Sequence, residues 1–374
     1  MKIRAAVLYE MGLPRPYTES QPLKIEELEL DGPGTGEVLV RVAGAGLCHS
    51  DLSVINGDRP RPTPMALGHE AAGVVEEVGP EVHDLAPGDH VVMVFVPSCG
   101  HCRFCAEGRP ALCEPAAVAN TQGSLLSGAH RLHRNGKTIL HHLGVSCFAE
   151  RAVLSQRSLV KIDPSIPLEH AALFGCAVLT GVGAAINTAQ VKPGTSVAVI
   201  GLGGVGLNAV MGSKIAGAAR IVGIDMLEDK FALAEQLGAT DTFNAADTKV
   251  AEEVRDATGG GVDYAIEVAG SEKALELAYR ITRRGGVTVT AGLAHPSRQI
   301  SLQQAGLVAE ERTLKGSYVG SCVPRRDLPR YLDLFMRGVM PVDKVLSNTV
   351  QLDELNEAFD RLADGHVVRQ VLEP

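Results

Sequence analysis

A chain of 374 residues exceeds the size at which one hydrophobic core stops growing, and with 45% apolar and 21% charged residues it reads as a soluble protein of two domains. The net charge of -9 opposes binding to polyanions, and no basic stripe or RNA-reading motif interrupts it, so nucleic acid is not an expected partner. No run of about eighteen uncharged apolar residues occurs, and MKIRAAVLYE lacks the apolar core of a secretory signal, so no membrane partner is expected and the cytoplasm is the expected location.

From Lys2 to about Val96 the chain breaks into short β segments, KIRAAVLYE, LKIEELEL, EVLVRVAGAG, AAGVVEEVG and HVVMVFV, parted by Gly and Pro as in a compact barrel. Residues 97 to 145 show little periodicity, the mark of a stretch that wraps a metal or lines a cleft. From about residue 195, SVAVI, RIVGID, VDYAIEV and GVTVTAGL read as buried parallel strands, with NAVMGSKIAG, EDKFALAEQLG and SEKALELAYRI as the helices between them. After Lys315 come the helical stretches DLPRYLDLFMRG and LDELNEAFDRLADG and the strand RQVLE. These either extend the second domain or return to complete the first.

Eight cysteines in a chain expected to stay reduced point to metal before disulfides. Cys48 sits in GLCHSD beside Ser50 and Asp51, and His69 sits in LGHEAAG beside Glu70. A catalytic zinc takes three protein ligands and keeps one position open, and a Cys/His mixture suits it. Spacing leaves open whether Cys147, Cys176 or Cys322 is the third. Cys99, Cys102, Cys105 and Cys113 follow C-x2-C-x2-C-x7-C, which can close a tetrahedron of thiolates around a structural zinc. An iron-sulfur cluster is the rival, disfavoured by the long last gap and by the lack of a second cysteine set.

Gly201, Gly203 and Gly206 form G-x-G-x-x-G between an apolar strand and a helix, where backbone N-H groups can hold a pyrophosphate. Asp225 ends the next strand, placed to accept hydrogen bonds from the adenosine ribose and to repel a 2'-phosphate, which favours NAD over NADP. Lys230, one helical turn on, is either a ribose contact or a solvated lysine.

GHEAAGVV, the four-cysteine loop and GLGGVGLNAVMGSKIAGAARIVGID together resemble the zinc-containing alcohol dehydrogenases of the medium-chain dehydrogenase superfamily, and the resemblance runs the length of the chain. It implies an α/β fold: a GroES-like β-rich catalytic domain of residues 1–177 and 319–374, with its structural zinc loop at 97–115, and a Rossmann domain of doubly wound parallel sheet at 178–318. It makes Cys48, His69 and Cys176 the ligands of a catalytic zinc, Asp51 the carboxylate that orients the histidine, Glu70 a residue behind the metal that assists ligand exchange, and Ser50 the hydroxyl that bonds the alcohol. His49, Thr180, Gly204, Val205 and Arg369 are implied to border the cofactor, with His49 and Arg369 near its pyrophosphate. Arg59, Phe95, Leu143, Leu293, Tyr318 and Val319 are implied to line the substrate channel.

The expected activity is NAD-dependent interconversion of medium-length or aromatic primary alcohols and aldehydes, by a homodimer with two zinc ions per chain. Three positions depart from the family pattern. Ser53 stands where many members carry a proton-relaying histidine, EPAAVANTQG lacks the arginine of the glutathione-dependent formaldehyde dehydrogenases, and Arg59 replaces an apolar or acidic mouth residue. A thiol-adduct formaldehyde dehydrogenase is the alternative enzyme, and a non-catalytic NAD-binding redox sensor the alternative from another class.

Overall fold

The computed structural model describes all 374 residues. They form two compact units, Met1–Cys176 with Val323–Arg337 and Val342–Pro374, and Ala177–Cys322 with Gly338–Pro341. The return to the first unit thus falls at Val323 rather than at the expected residue 319. The reason is local: Thr188 Oγ1 bonds the hydroxyls of Ser317 and Ser321 at 2.8 and 2.9 Å, and the Cys322 thiol donates to the Leu179 carbonyl at 3.2 Å. Residues 319–322 are therefore tied to the helical stretch that opens the second unit.

In the first unit, strands Lys2–Leu8, Leu23–Leu30, Leu132–Arg134, Lys137–His141 and Met65–Ala66 close a barrel. The alternation in KIRAAVL explains the first of them. Ile3, Ala5 and Val7 enter a core shared with Leu28, Leu30, Leu132 and Ile139, while Lys2 and Arg4 stay outside. Each fully buried Val, Leu or Ile there is worth roughly 1.5–3 kcal/mol. A seven-stranded sheet is built around Glu37–Gly46, which pairs with Ala71–Val78, Arg151–Ser155 and the C-terminal strand Arg369–Leu372. The C-terminal elements therefore complete the first unit. Helix Leu355–Asp364 buries Leu355, Ala358, Phe359 and Leu362 along one stripe and ends at Gly365, with φ of 83°.

The stretch 97–145 is more regular than its lack of periodicity implied. It contains helix Glu114–Gln122 and the two strands Leu132–Arg134 and Lys137–His141. EPAAVANTQ has no apolar stripe, and strands of three and five residues are too short to show alternation.

The second unit is a six-stranded parallel sheet in the order Asp241–Asn244, Arg220–Asp225, Ser196–Ile200, Val262–Glu267, Thr282–Thr290, Thr313–Gly316. Val197, Ala198, Val199 and Ile200 are all buried, as expected of a strand covered on both faces. The chain winds outward from Ser196–Ile200 in one direction, then crosses to the other side at Val262. The carboxyl ends of these two strands form the switch point at which doubly wound sheets bind nucleotides. No single helix is long and apolar enough to cross a membrane.

Candidate active site

Cys48 precedes helix His49–Ile55 and caps it, and Asp51, at the third helical position, returns the contact by accepting from the Cys48 backbone N-H at 3.3 Å through Oδ2. This local motif leaves Oδ1 of Asp51 directed at His69, whose Nδ1 lies 2.9 Å away with both side chains fully buried. The contact sets the imidazole proton on Nδ1 and frees the lone pair of Nε2. His69 arrives on the turn between Met65–Ala66 and Ala71–Val78, and Cys176 on the break after the helical turn Ala172–Gly175. The ligand atoms of Cys48, His69 and Cys176 lie within 4.8 Å of one another. Of the three cysteines that spacing could not separate, only Cys176 joins this group. Cys147 directs its thiol to the Glu70 carbonyl at 3.5 Å, and Cys322 belongs to the second unit.

These residues fit a zinc ion. Nε2 of His69 is buried without a hydrogen-bond partner, which costs free energy unless a metal takes its lone pair. The Cys48 thiol is held well below the ordinary thiol range by its hydrogen bond with Cys176, helped by Arg369 and His69, which favours the thiolate that a metal needs. Burial works against a charge on Asp51, but His69 and His142 outweigh it and keep the carboxyl below the usual range. Arg369 is buried and donates to the Leu47 carbonyl at 2.9 Å and to Glu70 Oε1 at 2.6 Å. Burial pushes Glu70 up to about 7 although the guanidinium pulls the other way, while Arg369 itself is held charged by Glu70 and the two thiols. The hydrogen bond with Cys48 and burial push the Cys176 thiol up, so the trio holds one thiolate, on Cys48, beside the fixed cation of Arg369, and a bound dication would draw the second thiol proton off.

The four cysteines of the loop also come together, with ligand atoms within 4.8 Å and Cys99 and Cys105 sulfurs 4.0 Å apart. Zinc-sulfur bonds of 2.3 Å in a tetrahedron place sulfurs roughly 3.8 Å apart. The spacing fits a single ion; a four-iron cluster would hold the sulfurs farther apart. The Cys102 and Cys99 backbone N-H groups donate to the sulfurs of Cys99 and Cys113 at 3.3 and 3.2 Å, so the loop's own backbone supplies the polar partners of its sulfurs.

In the second unit, helix Gly204–Ile215 begins after Gly203 with no side-chain cap, leaving its first N-H groups for a phosphate. Gly201 takes φ of 97°, and a Cβ on Gly206 would collide with the Gly201 carbonyl oxygen, so the turn and the close helix approach both require glycine. A Cβ on Gly203 would meet nothing within 4 Å, the open space that a pyrophosphate could fill. Asp225 Oδ2 accepts from the Leu202 N-H at 2.6 Å, inside the glycine loop, and Oδ1 accepts from Leu227 at 3.0 Å. Lys230 lies 3.4 Å from Oδ1, an ion pair rather than a solvated lysine. Val205 stands in the first turn of that helix, and Thr180 is buried on helix Ala177–Gly183.

Residues 34–164 match the alcohol dehydrogenase GroES-like domain, and residues 204–337 match the zinc-binding dehydrogenase family. The chain belongs to the zinc-type alcohol dehydrogenases of the medium-chain dehydrogenase superfamily. It is 40% identical over 375 residues to the NDMA-dependent alcohol dehydrogenase of Amycolatopsis methanolica, covering 100% of this chain and 99% of the relative. It is 39% identical over 376 residues to an S-(hydroxymethyl)glutathione dehydrogenase of Synechocystis sp., with both chains covered at 100%. The crystal structure of benzyl alcohol dehydrogenase from Acinetobacter calcoaceticus superposes with a TM-score of 0.92 at 31% identity, over 100% of this chain and 99% of that one. As an alcohol dehydrogenase the chain is an oxidoreductase acting on small-molecule alcohols or aldehydes with zinc and a nucleotide cofactor.

In this alcohol dehydrogenase Phe95 packs edge-on against His69, ring centroids 5.2 Å apart, and Leu143 is buried in the same unit. Arg59 is half-buried there, its backbone N-H on the Ser53 carbonyl at 2.7 Å. Leu293, Tyr318 and Val319 stand in the second unit, the first two exposed and the third buried. His49 is exposed, Ser50 is half-buried, and the Ser53 hydroxyl donates to the His49 carbonyl at 2.7 Å. Sequence reasoning missed His142, whose Nδ1 lies 3.2 Å from the same Asp51 oxygen that holds His69.

Proposed function

We propose that this dehydrogenase interconverts medium-length or aromatic primary alcohols and their aldehydes, with NAD as the hydride carrier. The observation that carries the reading is the buried trio Cys48, His69 and Cys176 with the unpartnered His69 Nε2. Three such donors leave a fourth tetrahedral position for a substrate oxygen. When bound, zinc supplies a Lewis acid that lowers the alcohol's pKa and the nicotinamide an acceptor for hydride. Asp51 fixes the His69 ring so that Nε2 stays aimed at the two sulfurs, Arg369 offsets their charge, and Ser50 Oγ accepts the hydrogen bond of the substrate hydroxyl and relays its proton by releasing its own outward. Phe95 and Leu143 supply apolar surface that suits an alkyl or aryl chain.

NAD is favoured because Asp225 ends its strand as a carboxylate with lone pairs to spare, which a ribose diol can use and a 2'-phosphate would meet as repulsion. The chemistry calls for six reduced thiolates, which suits the cytoplasm. Strand Thr313–Gly316 lies at the edge of its sheet, which supports a homodimer formed edge to edge; a tetrameric mass by light scattering would overturn that assembly.

The testing experiment is an alcohol and aldehyde panel on zinc-replete protein, run with NAD, NADP and NDMA, and with formaldehyde in the presence and absence of a thiol. Benzyl-type or medium-length alcohols with NAD should give the highest kcat/KM, and Asp225→Gly should shift the NAD to NADP ratio by about tenfold or more toward NADP. Two relatives favour second readings. Formaldehyde turnover only with added thiol would make this chain resemble the Synechocystis enzyme in function, and turnover only with NDMA would make it resemble the Amycolatopsis one. No turnover across the panel would leave a nucleotide-binding protein and sink the enzymatic reading.

A further inference from the structure

Asp51 is gripped from three sides, and one of those contacts has no role in the reading above. Oδ2 accepts from the Cys48 backbone, Oδ1 meets His69 Nδ1 at 2.9 Å, and the same Oδ1 meets His142 Nδ1 at 3.2 Å. The second imidazole stands nearly perpendicular to the first, at 79° with centroids 5.7 Å apart, and the His142–Asp51 contact is too bent to rank as a full hydrogen bond. All three side chains are at most 1% exposed, so no water competes for the carboxylate.

The backbone puts His142 there on purpose-built geometry. Strand Lys137–His141 runs parallel to Met65–Ala66, with His141 opposite Ala66. His142 N-H then reaches the Ala66 carbonyl at 3.2 Å and the Ser146 hydroxyl at 2.8 Å, and that hydroxyl donates to the same carbonyl at 2.8 Å. The segment that carries His142 is thus fastened at Ala66, three residues ahead of His69. Oδ2 is held only by the long 3.3 Å bond from the Cys48 N-H, so the carboxylate can still rock about its Cβ–Cγ bond and take the His69 ring with it; the His142 Nδ1 edge, 3.2 Å from Oδ1, limits that rocking.

We propose that His142 is a positioning residue, which through Asp51 holds His69 Nε2 in place for the zinc bound by Cys48, His69 and Cys176. The inference rests on the reading of that trio as the catalytic zinc site. Partners one step behind a ligand govern metal affinity by about 10- to 100-fold. A plain core histidine would contribute only its volume, and two substitutions separate these roles. His142→Phe keeps the volume and removes the donor; His142→Asn keeps an amide donor near the Nδ1 position and gives up volume.

The experiment measures, for the parent and both variants, the loss of the first and second zinc to a chelator, together with the d–d absorption after cobalt replaces zinc at the Cys/His site. His142→Phe should weaken that site about tenfold or more and shift the cobalt bands, leaving the four-cysteine zinc and the Tm within a few degrees of the parent. His142→Asn should stay within about threefold of the parent. Parental affinity and spectrum in the Phe variant, or a loss in Asn equal to that in Phe, would overturn the positioning role alone. A parent holding only the four-cysteine zinc, unchanged by Cys176→Ala, would overturn the zinc reading and this inference with it.

Discussion

The two cysteine-bearing sites of the first unit reach similar ligand spacing by opposite routes. Cys99, Cys102, Cys105 and Cys113 come from a single loop, three of them half-exposed, and their neighbours are the loop's own backbone N-H groups. Cys48, His69 and Cys176 come from three distant segments, are all buried, and are backed by Asp51, His142, Glu70 and Arg369. In the loop the metal would organise the chain, whereas in the buried trio the fold has already organised the ligands. A site of the first kind contributes folding energy; one of the second can keep an open position and control the charge around it.

The largest expected effect breaks this pair apart directly. Cys176→Ala should leave a folded protein with about one zinc per chain and cut alcohol turnover by about four orders of magnitude, some 5.5 kcal/mol of barrier. Metal analysis and single-turnover kinetics check both halves. Two zinc ions with full activity would show that the buried trio is not the reacting centre. Cys105→Ala should do the converse. Zinc again falls to about one per chain, the Tm drops by on the order of 10 °C, and kcat per remaining zinc stays within a few-fold. Calorimetry with zinc analysis reads this out; unchanged stability on loss of that zinc would remove the folding role of the loop.

The charge behind the trio sharpens the contrast further. Arg369→Met strands a buried Glu70, and leaving one half of a buried ion pair costs about 3–5 kcal/mol. The lower end is expected here, because burial already raises the Glu70 pKa to about 7 and protonation relieves part of the cost. Adding Glu70→Leu should restore much of the stability without restoring zinc affinity, since the cation that faces the two thiols is still missing. Urea unfolding of both variants alongside a zinc titration checks it; recovery of both properties in the double variant would mean that Arg369 serves only to neutralise Glu70 and not to offset the thiols.

This contrast also explains what could be read from sequence. The four-cysteine loop and the run from Gly201 to Asp225 carry their geometry in local spacing, so the residues announce themselves. The buried trio spans more than a hundred residues, and spacing could not choose among Cys147, Cys176 and Cys322; the family resemblance named Cys176, and the fold brings it to Cys48 and His69. The two short strands that close the barrel and the helix Glu114–Gln122 were hidden by brevity and by the lack of an apolar stripe. His142 was hidden for a related reason. In HHLGVS two adjacent histidines look alike, and only strand alternation, which sends neighbours to opposite faces, separates their roles.

The other half of that pair gives the smallest effect expected. His141 is buried, its Nε2 accepts from the Arg131 backbone N-H at 3.0 Å, and its ring stacks on His130 at 6.5 Å. Burial, with the neighbouring charges of His130, Arg131 and His133, lowers its pKa to about 3. The unfolded chain, with an ordinary histidine near 6.5, therefore binds the proton more readily than the folded one. This contribution to stability is fully present above about pH 6.5 and is lost as the pH falls from there toward 3. At pH 5 the loss amounts to about 2 kcal/mol, the gap of roughly 1.5 units at 1.36 kcal/mol each. His141→Gln offers a carbonyl oxygen to the Arg131 N-H and no titrating group, so its unfolding free energy should fall about 2 kcal/mol less than the parent's between pH 7 and pH 5. Acid also protonates the metal ligands, but it does so in both proteins, so that loss cancels in the difference between their urea midpoints. Equal slopes with pH would mean that His141 is either already charged in the fold or free to reach water, and neither is compatible with an imidazole that accepts the Arg131 bond from inside the barrel wall.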